Sequence, residues 1–236
     1  MKIKGKILLP GIDKQLNNFF TSQDVSGKKT LIIGDGSEEI AEEFLNKNSS
    51  EVNMVVENVE SLSIARNYLS KKGEILIRLM DFDNTDFNNE TLDIIYAQGS
   101  ISKPNRNKII KEIKRILKLE GIFCVGEIVK LKEKIPAFAT DILESSRLLP
   151  IYLNDLKNYY TERKFDILFE KDLSQTLKEF YLLNNSMLNE NMGKLSQQEK
   201  SYYKKRINQI VHESNAYLKM GADKYIGLYM LIMRKA

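Results

Sequence analysis

Short apolar runs alternate with amphipathic stretches along most of the chain. Leu31-Ile32-Ile33 is too short for a helix and rich in β-branched residues, so it reads as a buried strand. Gly34-Asp35-Gly36-Ser37 interrupts it, and Ile40, Ala41, Phe44 and Leu45 follow at helical spacing with acidic residues between them. The alternation then repeats. Residues 52–56 predict a second strand. Leu62, Ile64, Ala65 and Leu69 predict the inner face of a helix over 60–71, closed by Lys71-Lys72-Gly73 with basic side chains at the negative end and a glycine cap. Residues 75–79 predict a third strand and 91–99 contain a fourth. Ile109, Ile110, Ile113, Ile116 and Leu117 stripe a helix over 105–119, and 122–126 predict a fifth strand.

The flanking regions have a different texture. Pro10-Gly11 marks a turn before Ile12, Leu16, Phe19 and Phe20, so residues 1–28 read as a helical leader packed on the core. Beyond the fifth strand, Phe138, Ile142 and Leu143 mark one helical segment and 153–160 another. The alternation over 165–170 predicts strand six. Residues 173–218 are helical and polar, with Leu173, Leu177, Phe180 and Tyr181 on one face. The apolar run at 226–233 predicts strand seven. Strands alternating with helices predict an α/β domain over 29–236, with a Rossmann-like, doubly wound, mostly parallel seven-stranded sheet. Helical cap segments are expected near 130–164 and, as an insertion near the C-terminus, near 173–222.

Composition narrows the classes. The net charge of +4 arises from 36 basic and 32 acidic residues, which is a mixed surface and not a nucleic-acid footprint. Cys124 is the one cysteine and His212 the one histidine, so no intramolecular disulfide and no structural zinc site can form from them. No metal is expected. No Ser-His-Asp or phosphate-loop pattern is present. Met1-Lys2-Ile3-Lys4 leads into no sustained apolar run, so no signal peptide is expected, and no stretch approaches the ~20 apolar residues of a membrane span. A cytoplasmic protein is the expectation.

Candidate chemistry sits at the predicted strand ends. Glycine in the 34–37 turn lets backbone approach a ligand and aims the free N–H groups of a helix start at it. Glu57 follows strand two, about 20 residues beyond that turn, where a carboxylate accepts hydrogen bonds from ribose hydroxyls in Rossmann-like units. Asp81-Phe82 lies past strand three. Leu92-Asp93-Ile94-Ile95 leads into strand four, which ends in Gln98-Gly99.

Strand, Gly34-x-Gly36, helix, followed by these landmarks and by Lys118-Leu119-Glu120-Gly121 before strand five, resembles the class I S-adenosylmethionine-dependent methyltransferases. The chain departs from the family pattern at Ile32, where an acidic residue is expected, and at Glu38, where a third glycine is expected. The resemblance implies S-adenosylmethionine as cofactor, held by Gly34, Asp35, Gly36, Glu57, Asp81, Phe82 and Gln98, with Asp81 toward the adenine amine and Phe82 beside its ring. It also implies a terminal hairpin strand on strand five. It implies a small-molecule acceptor, no nucleic acid and no membrane, and it admits a homodimer. The general base, if the reaction uses one, is unassigned. His212 either faces the pocket or lies on the surface. Tyr96, Tyr159, Tyr160 and Tyr181 either border the site or fill the core. The alternative function is a degenerate relative, a binding or scaffold protein, supported by Ile32 and Glu38. A nicotinamide-dependent oxidoreductase is disfavoured by the missing third glycine, and a base-modifying methyltransferase by the balanced charge and by the absence of a Pro-Pro-aromatic end on strand four.

Overall fold

The computed structural model describes residues 6–69, 74–194, 196–202 and 204–236. The expected start of the chain, Met1 to Lys4, and the helix end at Lys71-Lys72-Gly73 lie outside the described residues. The elements follow the predicted alternation: α1 Ile12–Ser22, β1 Lys29–Ile33, α2 Glu38–Asn46, β2 Glu51–Val56, α3 Val59–Leu69, β3 Ile75–Leu79, β4 Leu92–Gln98, α4 Arg106–Ile116 and β5 Leu117–Lys130. Then come α5 Ala137–Ser145, β6 Ile151–Tyr152, α6 Leu153–Thr161, β7 Phe165–Asp172, α7 Gln175–Met192, α8 Gln197–Tyr202, α9 Lys204–Lys219 and β8 Ile226–Lys235.

The sheet runs β3-β2-β1-β4-β5-β8-β7. The strands from β3 to β5 are parallel, and β8 is antiparallel to both β5 and β7. The seven strands of this path and the reversed terminal strand on β5 are as expected, with one addition: the two-residue β6 beside β5. The chain steps outward from β1 through β2 to β3, then returns to the other side of β1 as β4. That reversal makes the β1–β4 gap the switch point, where ligands of such sheets bind beyond the strand ends.

Alternate strand residues face opposite sides, and each side has its own core. Ile32, Met54 and Tyr96 pack with Leu16 and Phe19 of α1, Phe44 of α2, Ala65 of α3, Ile142 of α5, Leu177 of α7 and Tyr217 of α9. Leu31, Ile33, Ile95 and Phe123 pack with Ile109, Ile113 and Ile116 of α4 and Leu156 and Tyr160 of α6. The leader is therefore part of the first core. Its Phe19 ring meets Phe44 at 5.6 Å and Tyr96 at 5.4 Å.

Two expectations need correction. Ile64, expected on the inner face of α3, is 38% exposed, because Ala65 and Leu69 already cover the sheet there. The helix expected over 105–119 ends at Ile116. Leu117 pairs with Leu92 at the start of a 14-residue strand, and Leu119 is 63% exposed. The apolar stripe ran on through Leu117 because a buried strand residue there looks like one more helical position.

The registers fix where the extra helices lie. Lys130 at the end of β5 pairs with Ile226 at the start of β8, and Asp172 at the end of β7 pairs with Tyr229. The chain thus leaves β7 and enters β8 on the same edge as the C-terminal tips of β4 and β5. The insertion α7–α9 departs from and returns to that edge. Among the described residues no helix is long and apolar enough to cross a membrane.

Candidate active site

The turn after β1 has the backbone that its glycines were expected to allow. Gly34 has φ +139° and Gly36 φ +82°, both in the region that side chains disfavour. A Cβ on Gly34 would fall 2.8 Å from Ser100 Cβ, so the β1 and β4 turns touch at a point that only glycine permits. Ser100 Oγ fastens the contact by donating to the Ile33 carbonyl at 2.6 Å. Ser37, at the start of α2, is buried, and its Oγ has no hydrogen-bond partner among the described residues. A bare glycine cradle and an orphaned hydroxyl beside a helix N-terminus fit a polar ligand group.

Asp35 faces the neighbouring strand tip. Its carboxylate accepts from the Glu57 backbone N–H at 3.3 Å and from Asn58 Nδ2 at 2.7 Å, locking the first turn to the end of β2. Glu57 is partly exposed, and its Oε2 accepts from Lys103 Nζ. Lys103 belongs to the β4–α4 turn and also lies 4.5 Å from the centroid of the Phe82 ring. Phe82 is buried in the second core, whereas Asp81 before it is exposed. The tips of β1, β2 and β3 and the turn after β4 therefore converge on one place.

Gln98 is engaged elsewhere. Its Nε2 donates to the carbonyls of Pro10 and Ile12 at 3.0 and 2.9 Å, and its Oε1 accepts from the Tyr96 hydroxyl at 2.7 Å. All these groups belong to the seam between β4 and the N-terminal segment. Tyr96 is a core residue, and burial pushes its hydroxyl pKa well above 10.0. Cys124 is likewise buried, and burial raises its thiol well above 9.0, which makes it inert. His212 is exposed on α9. Ile32 is fully buried in the first core and Glu38 is buried at the start of α2.

A polar cluster beneath the β4–α4 turn was not anticipated. Glu127 of β5 is fully buried. It accepts from Ser102 Oγ, from the Tyr160 hydroxyl at 2.6 Å, and lies 3.1 Å from Arg106 Nε in an ion pair whose angle falls outside hydrogen-bond geometry. Ser102 Oγ also accepts from the Ile128 backbone N–H at 2.9 Å, and Arg106 donates to the Leu149 carbonyl at 2.5 Å. Burial, then the Glu127 charge, pushes the Tyr160 hydroxyl pKa well above 10.0. The cluster joins β5, α6 and the turn that carries Lys103. The sequence signal was a carboxylate inside the apolar run Val125-Gly126-Glu127-Ile128-Val129.

Two surface clefts lie away from these groups. One is lined by residues 20–25 with Lys47, the other by Lys28, Asp93 and residues 118–122, both toward the N-terminal ends of the strands.

Residues 31–125 match the family described as a methyltransferase domain. No curated protein matches the chain. Among solved structures, phosphoethanolamine N-methyltransferase 2 from Haemonchus contortus, with phosphomonomethylethanolamine and S-adenosylhomocysteine, is similar at a TM-score of 0.78 and 16% identity, over 94% of this chain and 53% of that one. Geranyl diphosphate C-methyltransferase from Streptomyces coelicolor A3(2) is similar at 0.70 and 11%, over 95% and 77%. The [4+2]-cyclase SpnF is similar at 0.72 and 20%, over 89% and 75%. The stretch from Leu31 to Val125 therefore carries the sequence pattern of a methyltransferase domain, and the chain as a whole shares the mostly parallel, Rossmann-like fold of these structures.

Proposed function

We propose that the protein is a cytoplasmic enzyme that methylates a small-molecule acceptor, with the helices α5, α7 and α9 forming the cap that selects it. The observation that carries this reading is the convergence of Gly34, Gly36, Glu57 and Asp81-Phe82 at the tips of three successive parallel strands beside the switch point. The cofactor supplies an electrophilic methyl group on a sulfonium, so the protein's task is to hold and align it. In this reading Gly34, Gly36 and the first N–H groups of α2 receive the amino-acid end, with Ser37 Oγ as a further partner. Glu57 accepts from the ribose hydroxyls, and Asp81 and Phe82 border the adenine. Asp35 acts at one remove, by fixing the Glu57 backbone. The relatives with bound phosphomonomethylethanolamine and geranyl diphosphate support a small acceptor. The buried, unpaired Cys124 suits a reducing compartment.

Calorimetric titration with S-adenosylmethionine, S-adenosylhomocysteine and NADH tests the reading. Binding of both sulfur nucleosides in the micromolar range, absent with NADH and weakened at least about tenfold in Glu57→Ala by loss of charge-assisted hydrogen bonds, is expected. No binding of any of the three overturns it.

A second reading keeps the nucleoside site without methyl transfer. Ile32 favours it, because a buried aliphatic side chain stands where the family carries an acid. The same fold in a protein named a cyclase supports it as well. Tight binding without turnover across an acceptor panel would select this reading.

A further inference from the structure

We propose that Lys103 is an intramolecular competitor of the cofactor, holding the Glu57 carboxylate in the free protein and setting the affinity of the site. This inference rests on the assignment of Glu57 to the ribose. Lys103 Nζ donates to Glu57 Oε2 while the ammonium lies 4.5 Å from the Phe82 ring centroid. One side chain thus spans the two groups assigned to ribose and adenine. The contact is charge-assisted on the carboxylate side and cation–π on the ring side.

The backbone around Lys103 is fixed, so only its side chain can yield. Its N–H donates to the Ile101 carbonyl at 2.7 Å, and its carbonyl accepts from Arg106 N–H at 3.1 Å. Pro104 follows and restricts its backbone further. Ser102 before it is tied to Glu127 and to the Ile128 N–H. By contrast, the Lys103 side chain is 31% exposed and reaches Glu57 through a flexible four-carbon stem. It can swing into solvent without moving the turn. Two ribose hydroxyls donating to Glu57 compete with the ammonium for Oε2 and for the space in front of it. The ion pair is therefore a cost charged against binding, and its removal should tighten the complex.

The test is titration of wild type, Lys103→Met and Lys103→Arg with S-adenosylhomocysteine, together with acetylation of Lys103 read by mass spectrometry with and without it. Lys103→Met keeps an unbranched stem without the charge and should bind roughly fivefold tighter, near the upper worth of a partly exposed pair. Lys103→Arg keeps the charge and should bind close to wild type. Acetylation of Lys103 should rise when the nucleoside is added. Equal or weaker binding by Lys103→Met, with the wild type still binding, overturns the inference and leaves the methyltransferase reading intact. Absence of binding in all three proteins overturns both.

Discussion

The Tyr160 hydroxyl donates to Glu127 Oε1 at 2.6 Å, and both residues are fully buried. The carboxylate also serves Ser102 and stands against Arg106, so its partners come from three separate elements. Removing Tyr160's hydroxyl leaves Glu127 with two partners, and Tyr160→Phe should cost about 1–2 kcal/mol. Removing the carboxylate is worse, because the Arg106 guanidinium is then buried without a counter-charge. Glu127→Ala should cost about 3–5 kcal/mol. Urea denaturation of the two variants checks the order, and a smaller loss in Glu127→Ala than in Tyr160→Phe would refute the account.

Glu112 gives the fold an acid-sensitive contact. Burial alone would raise its pKa, but Arg115 and the Thr85 hydroxyl and N–H, at 2.6, 2.6 and 2.8 Å, outweigh burial and hold it below 4.5. A carboxyl with a depressed folded pKa stabilises the protein above its unfolded value and loses that contribution as pH falls through the folded one. The stabilisation is therefore complete above about pH 4.5 and fades below it. Glu112→Gln should lower stability at pH 7 by about 1–2 kcal/mol and flatten the decline below pH 4.5. Thermal melts between pH 3 and pH 7 would show parallel curves for the two proteins if this contact were unimportant.

Gly34 meets two constraints at once. Its φ of +139° excludes ordinary side chains, and a Cβ would lie 2.8 Å from Ser100 Cβ. Gly34→Ala should destabilise by about 1–3 kcal/mol through backbone strain and weaken nucleoside binding. Adding Ser100→Gly relieves the contact but not the strain, and it also removes the Ser100 Oγ bond to the Ile33 carbonyl. The double variant should therefore recover only part of the loss. Full recovery would show that crowding, not backbone conformation, dominates.

The parts of the site that could be read from the sequence were those set by spacing. The glycine turn and Glu57 fall at strand tips because strand length and helix period fix where each tip comes, and Gly34, Gly36 and Glu57 lie there. Side-chain direction was harder to read. Gln98 closes β4 as expected, but its amide turns to the N-terminal segment, a contact across 86 residues that no local pattern records. Lys103 resembles any solvated lysine until the fold brings it to Glu57. The start of β5 is masked in the sequence, because Lys118 and Glu120 place polar side chains among its first residues.

That seam yields the last prediction. Gly11 and Ile12 both have positive φ, +94° and +42°, so the start of α1 is a strained turn held from outside. Gln98 holds it by donating to two of its carbonyls. Gln98→Met keeps the volume but removes both donors and leaves the Tyr96 hydroxyl buried without its acceptor. It should cost about 2–3 kcal/mol and speed proteolysis near residues 6–11. Adding Tyr96→Phe removes the stranded hydroxyl and should restore part of the stability but not the protection from protease. Nucleoside affinity distinguishes this role from a direct cofactor contact. A seam residue lowers stability first and affinity only as the segment loosens, whereas a ligand-binding residue would lower affinity in a protein of unchanged stability. Denaturation, limited proteolysis and titration on the same two variants separate these outcomes.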